Sequence, residues 1–160
     1  MSQRLRQFLE AGRIPSDSDW ELARTRLDDA LFALFARQHP RDVVHAATTA
    51  RWLLARGYAN PDLITAALLH DVAKGQQRRL DRVAWVASGW VRLATILADP
   101  NSTMELRRAM ARTRDHSTAG SAMLAAAGAT PRVVGLTARH HGATGDDPLL
   151  DLLQQADAAS

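Results

Sequence analysis

The chain has 160 residues, 46% apolar and 23% charged, which suits one globular domain with a sizeable core. It holds no cysteine, so disulfides and thiolate metal sites are excluded. Its net charge of +3 is uneven: residues 1–77 carry +1, residues 78–114 carry +5 and residues 115–160 carry −3.

In chain order the apolar spacing predicts helix after helix, with no convincing period-2 strand. A short amphipathic stretch covers about 3–11, and nothing in it is apolar enough for a signal peptide or a membrane span. A cytoplasmic protein is therefore expected. Ser16 or Asp17 can cap a helix from Trp20 to about Gln38, with Leu22, Leu27, Leu31, Leu34 and Phe35 on one face. His39-Pro40 ends it and opens a helix to about Arg56, closed by Gly57. Asn60 caps, and Pro61 begins, a helix that carries LITAALLHDVAK and stops at Gly75. Helices over about 80–98 and 103–114 come next, separated by Asp99-Pro100-Asn101. Another runs over about 118–127 to Gly128. Thr130-Pro131 opens a helix bearing TARHH, ended by Gly142, and the last helix runs from Pro148 through the final alanines. The fold expected is all-α, a single-domain helical bundle of about seven to eight helices.

Seven side chains of metal-ligand type lie along this chain: His45, the pair His70-Asp71, His116, the pair His140-His141, and Asp157. They use every histidine except His39, which beside Pro40 at a helix end reads as a surface or core side chain rather than a ligand. Imidazole and carboxylate suit divalent metals such as iron, manganese and zinc. Seven such groups exceed what one ion needs, and a carboxylate between two ions can bridge them. Each pair is expected on one helix, its members roughly 100° apart. Lys74, three residues after Asp71, is the only lysine among twenty basic residues. A compact ammonium suits phosphate, whereas the alternative is a surface lysine at a helix C-terminus.

The order H…HD…H…HH…D, with the pair set in LLHDVAKG, resembles the HD-domain superfamily of metal-dependent phosphohydrolases. More narrowly, it resembles the bimetallic branch, which includes the HD-GYP phosphodiesterases and the symmetrical diadenosine tetraphosphate hydrolases. The resemblance implies that residues 40–160 form the HD domain and 1–39 an N-terminal helical segment packed on its core. It implies two divalent transition-metal ions (Fe, Mn, Co, Ni or Zn). His45, His70, Asp71 and Asp157 would hold one, and His116, His140 and His141 the other, with Asp71 bridging. Asp71 and Lys74 would be catalytic. The implied activity is hydrolysis of phosphomonoester, phosphodiester or phosphoanhydride bonds of a nucleotide or similar small phosphate compound, through a metal-bridging hydroxide.

Departures narrow this expectation. GATGDDP comes after His140-His141 in place of a Gly-Tyr-Pro motif, which disfavours the HD-GYP group and cyclic di-GMP. Ser121 stands where the family usually has alanine after the third histidine. Arg41 stands where some relatives carry a glutamate, which argues against a third ion. The basic stretch 78–114 suits an anionic ligand, with Arg78, Arg79 and Arg82 the candidate phosphate contacts, against the alternative of a solvated helix face. Val83, Val86, Trp90, Leu93 and Leu97 form an apolar stripe read first as core, then as pocket wall, dimer face or membrane-surface contact. Nucleic acid is disfavoured by the scarcity of aromatics for stacking. Two alternative functions remain: a metal-retaining nucleotide-sensing or scaffold domain without turnover, and a di-iron oxygenase. Oligomeric state is left open, a homodimer included.

Overall fold

An α-helix begins where a side chain can accept from backbone N–H groups that have no partner within the helix, and this chain supplies such a residue repeatedly. The computed structural model describes residues 14–74, 117–143 and 145–160. Ser16 precedes α1 (Asp17–Arg24), its backbone N–H donating to Asp19 Oδ2 at 2.7 Å. Asp28 accepts from the Leu31 N–H at 2.9 Å and starts α2 (Asp29–Ala36). His39 Nδ1 accepts from the Arg41 N–H and starts α3 (Pro40–Leu54). Asn60, Thr130 and Asp147 do the same for α4 (Pro61–Leu69), α6 (Pro131–Arg139) and α7 (Pro148–Ala159). Helix α5 spans 117–126. Proline opens α3, α4, α6 and α7, where its missing N–H costs nothing.

Among the described residues there are seven helices and no strand, as the all-α reading expects. Gly57 and Gly128 end α3 and α5 as the sequence suggests, at φ 83° and 86°. In each case the next N–H reaches back five residues, Tyr58 to Leu53 O and Ala129 to Leu124 O, a closure that needs the left-handed region glycine enters freely. The predicted helix from Trp20 to Gln38 is in fact two. Thr25 bonds its hydroxyl back to Glu21 O and Leu22 O, and Asp28 caps afresh, so the backbone breaks between them. The amphipathic stretch over 3–11 and the helices predicted over 80–98 and 103–114 lie outside the described residues, as does the Val83–Leu97 stripe.

Helix α4 is apolar nearly all round, and Leu63, Ile64, Ala66, Ala67, Leu68 and Leu69 are all buried. A helix of that kind belongs at the centre of a bundle. Accordingly α3, α6 and α7 pack around it, with α2 against a further side and α1 on α3. Each fully buried leucine contributes about 1.5–3 kcal/mol. Trp20, Phe32 and Phe35 pack edge to face or tilted where α1 meets α2. Arg51 on α3 holds the buried Asp19 of α1 at 2.5 Å. The central helix therefore delivers the residues beyond Leu69 into the middle of the molecule.

Candidate metal centre

Directly after Leu69 stand His70 and Asp71. The sequence places this pair within a helix running to Gly75, but α4 ends at Leu69 and His70 is its C-cap. Likewise α6 ends at Arg139, with His140 as C-cap and His141 in the turn beyond. Both pairs therefore sit on tight turns at helix ends rather than on helical faces. The turns share a device. His70 Nδ1 lies 3.0 Å from Ala67 O, and His140 Nδ1 lies 2.7 Å from Thr137 O, each three residues back. An N–H at Nδ1 donating to a carbonyl leaves the lone pair on Nε2, the form in which imidazole binds a metal.

Those Nε2 atoms face carboxylates. His70 Nε2 is 3.4 Å from Asp157 Oδ1 and 3.5 Å from Asp71 Oδ2. It is fully buried, with these two carboxylates beside it. His45, from α3, places Nε2 2.8 Å from the same Asp157 oxygen. His140 Nε2 lies 3.8 Å from Asp71 Oδ1. The rings of His45 and His70 are 5.4 Å apart, those of His70 and His140 5.2 Å, and those of His140 and His141 3.9 Å. Two ligand groups result, His45–His70–Asp157 and Asp71–His140–His141, each with its ligand atoms within 4.8 Å of one another. The adjacent His70 and Asp71 join them. His70, Asp71 and His140 are buried, His45 and Asp157 are half-buried and His141 is exposed, so the cluster runs from interior to solvent.

Charge in the cluster is strongly coupled. Burial alone would raise the Asp157 carboxyl, but hydrogen bonds from His45 and His70 outweigh it and hold it far below the usual carboxylate range. Burial alone would lower His70, yet the Asp71 charge and the hydrogen bond and charge of Asp157 raise it. Two carboxylates around a buried imidazole thus attract a cation, be it a proton or a metal ion. The Lys74 ammonium pairs with Asp71 Oδ2 from the same turn, partly open to solvent. The donor set, nitrogen and carboxylate oxygen with orienting carbonyls behind the histidines, fits a divalent transition metal.

Of the residues singled out in the sequence, His45, His70, Asp71, Lys74, His140, His141 and Asp157 are brought together here. His116, Arg78, Arg79 and Arg82 lie outside the described residues. His39 stands apart as the cap of α3. The carbonyls of Ala67 and Thr137 went unread, since a backbone acceptor leaves no mark in a sequence. Gly120 of α5 also went unread as a packing residue: a Cβ there would lie 3.4 Å from Val72 and 3.6 Å from Thr137, beside both turns.

The HD domain family matches residues 37–160, more than three quarters of the chain, and the protein belongs to that family. Comparison with curated proteins and with solved structures returns no match. Families of this kind are typically metal-dependent hydrolases, and the described residues include two groups able to hold a metal. Among the described residues no helix is long and apolar enough to cross a membrane.

Proposed function

We propose that this protein is a binuclear metal-dependent phosphohydrolase acting on a nucleotide or similar small phosphate compound. The observation that carries the reading is the division of six ligand side chains into two groups joined at the His70–Asp71 step. His45, His70 and Asp157 would hold one ion, and His140 and His141 the other together with His116, with Asp71 shared between them. Such ions supply Lewis acidity toward a phosphoryl oxygen and a strongly acidified water as nucleophile.

The chain's own residues then have distinct tasks. Ala67 O and Thr137 O fix the ring orientation of His70 and His140. Asp71, buried and close to both groups, would place its negative charge beside both ions. Lys74 neutralises one Asp71 oxygen and is open enough to meet an incoming phosphate. Arg78, Arg79 and Arg82 would contact further phosphates. In this reading residues 40–160 carry the chemistry and 1–39 buttress it through Phe35, Leu31 and the Asp19–Arg51 pair.

A panel of phosphomonoesters, phosphodiesters and phosphoanhydrides, offered to protein loaded with manganese, iron or cobalt, tests the proposal. Turnover of at least one class that disappears on chelation is the expected result. Retention of metal without turnover of any of them would favour the sensing or scaffold alternative instead.

A further inference from the structure

The tight turn that presents His70 and Asp71 has an unexpected support. A helix continued past Leu69 would give Leu68 O to the Val72 N–H, four residues on. Here the Val72 N–H donates to Leu69 O at 3.1 Å, three residues back. That tightening releases Leu68 O in the interior, where a carbonyl must find another donor. Gln38 provides it: its Nε2 donates to Leu68 O at 3.1 Å, across thirty residues of chain. Gln38 is itself buried, 8% exposed. Its own N–H is anchored on Phe35 O, and the next residue caps α3, so the donor comes from a fixed frame.

We infer that Gln38 is a positioning residue for the metal centre, acting through the Leu68 carbonyl to hold the His70–Asp71 step in its tight turn. Without the Gln38 amide, Leu68 O regains a partner when the Val72 N–H swings back and the helix lengthens. The step per residue then falls from about 120° toward about 100°, as between 3₁₀ and α geometry. Asp71 turns relative to His70, and its 3.8 Å approach to His140 Nε2 is lost. Gln38 thereby keeps His70 with the first ligand group and Asp71 with the second. The inference rests on the metal-binding reading of those groups, and its test separates the two.

Gln38→Met keeps the length of the side chain and removes the donor. Titration of the metal-free variant with Co²⁺, followed by the ion's visible absorption, should show affinity weakened about 10–100-fold and an altered spectrum, the effect of losing an outer support. Leu53→Ala, a core truncation on α3, should lower Tm while leaving Co²⁺ affinity and spectrum as in wild type. A Gln38→Met protein that loses Tm yet binds Co²⁺ like wild type would overturn the inference and leave Gln38 a packing residue. Should Gln38→Met not fold, Gln38→Asn, which keeps the amide one methylene short, carries the same comparison. If wild type takes up no Co²⁺, the metal reading falls, and the metal-free proteins decide the rest. The His70 ring ¹⁵N resonances should move in Gln38→Met and not in Leu53→Ala; unmoved resonances would overturn the inference.

Discussion

At Asp71 a buried carboxylate stands between the imidazoles of His70 and His140 while pairing with the Lys74 ammonium. A bridge belongs to neither ion alone, so Asp71→Ala should empty both ligand groups. Elemental analysis of the purified variant checks this, and one ion retained at full occupancy would contradict the bridging role. Lys74→Ala should keep metal content and Tm but lower turnover roughly 10²–10³-fold, the scale of removing one positioned electrostatic contact. Single-turnover kinetics on the identified substrate read it, and an unchanged rate would return Lys74 to the surface. These side chains were legible in the sequence because few residue types bind metals and their order is distinctive. The carbonyls of Ala67 and Thr137, and the Gln38 amide, were not. Their roles depend on where a helix tightens, which residue types do not encode.

The loop after His140-His141 is pinned at both ends. Gln154 Nε2 donates to Gly142 O at 3.0 Å, and Asp147 receives Arg132 at 2.5 and 2.7 Å and Arg139 at 2.7 Å. The Arg132 hydrogen bond chiefly, with that of Arg139, holds the Asp147 carboxyl well below its ordinary value. A depressed carboxyl stabilises the fold fully above its ordinary value of 3.8, and that contribution is lost as pH falls below it toward the folded value. Both arginines are substantially exposed, so the contribution is modest, about 1–2 kcal/mol. Asp147→Asn keeps a capping side chain for α7 but loses the charge. It should lower Tm at pH 7 and narrow the gap from wild type below pH 4, as thermal melts across pH can show. An equal gap at both pH values would contradict this. Element boundaries were readable where proline opens a helix and glycine closes one, as at Pro61 and Gly57. They were misread where apolar spacing runs on past a real end, as through LLHDVA, and where Asp28 restarts a helix inside a continuous pattern.

Among the described residues the apolar helix α4 is wrapped by its neighbours, and its C-terminal end meets ligands from α3, the end of α6 and α7. The sequence pointed to that convergence only through family resemblance, because separations of 25 residues between His45 and His70 and 24 between His116 and His140 permit many arrangements. The charge distribution carries a separate expectation. With net +5 over residues 78–114, substrates with several phosphates should be preferred, mainly through KM, and less so as salt rises. Replacing Arg78, Arg79 and Arg82 together with glutamine should raise KM for such a substrate and spare kcat on a minimal phosphate ester. KM values in the triple variant identical to wild type, at low and at high salt, would leave these arginines without a part in substrate binding.

Each of the two ligand groups joined at His70–Asp71 is proposed to hold one ion. Metal-free wild-type protein titrated with Mn²⁺, with bound ions counted by elemental analysis after exhaustive removal of free metal, tests it most directly. Two ions per chain are expected, one for each ligand group. A chain that binds none, or saturates at one, contradicts it.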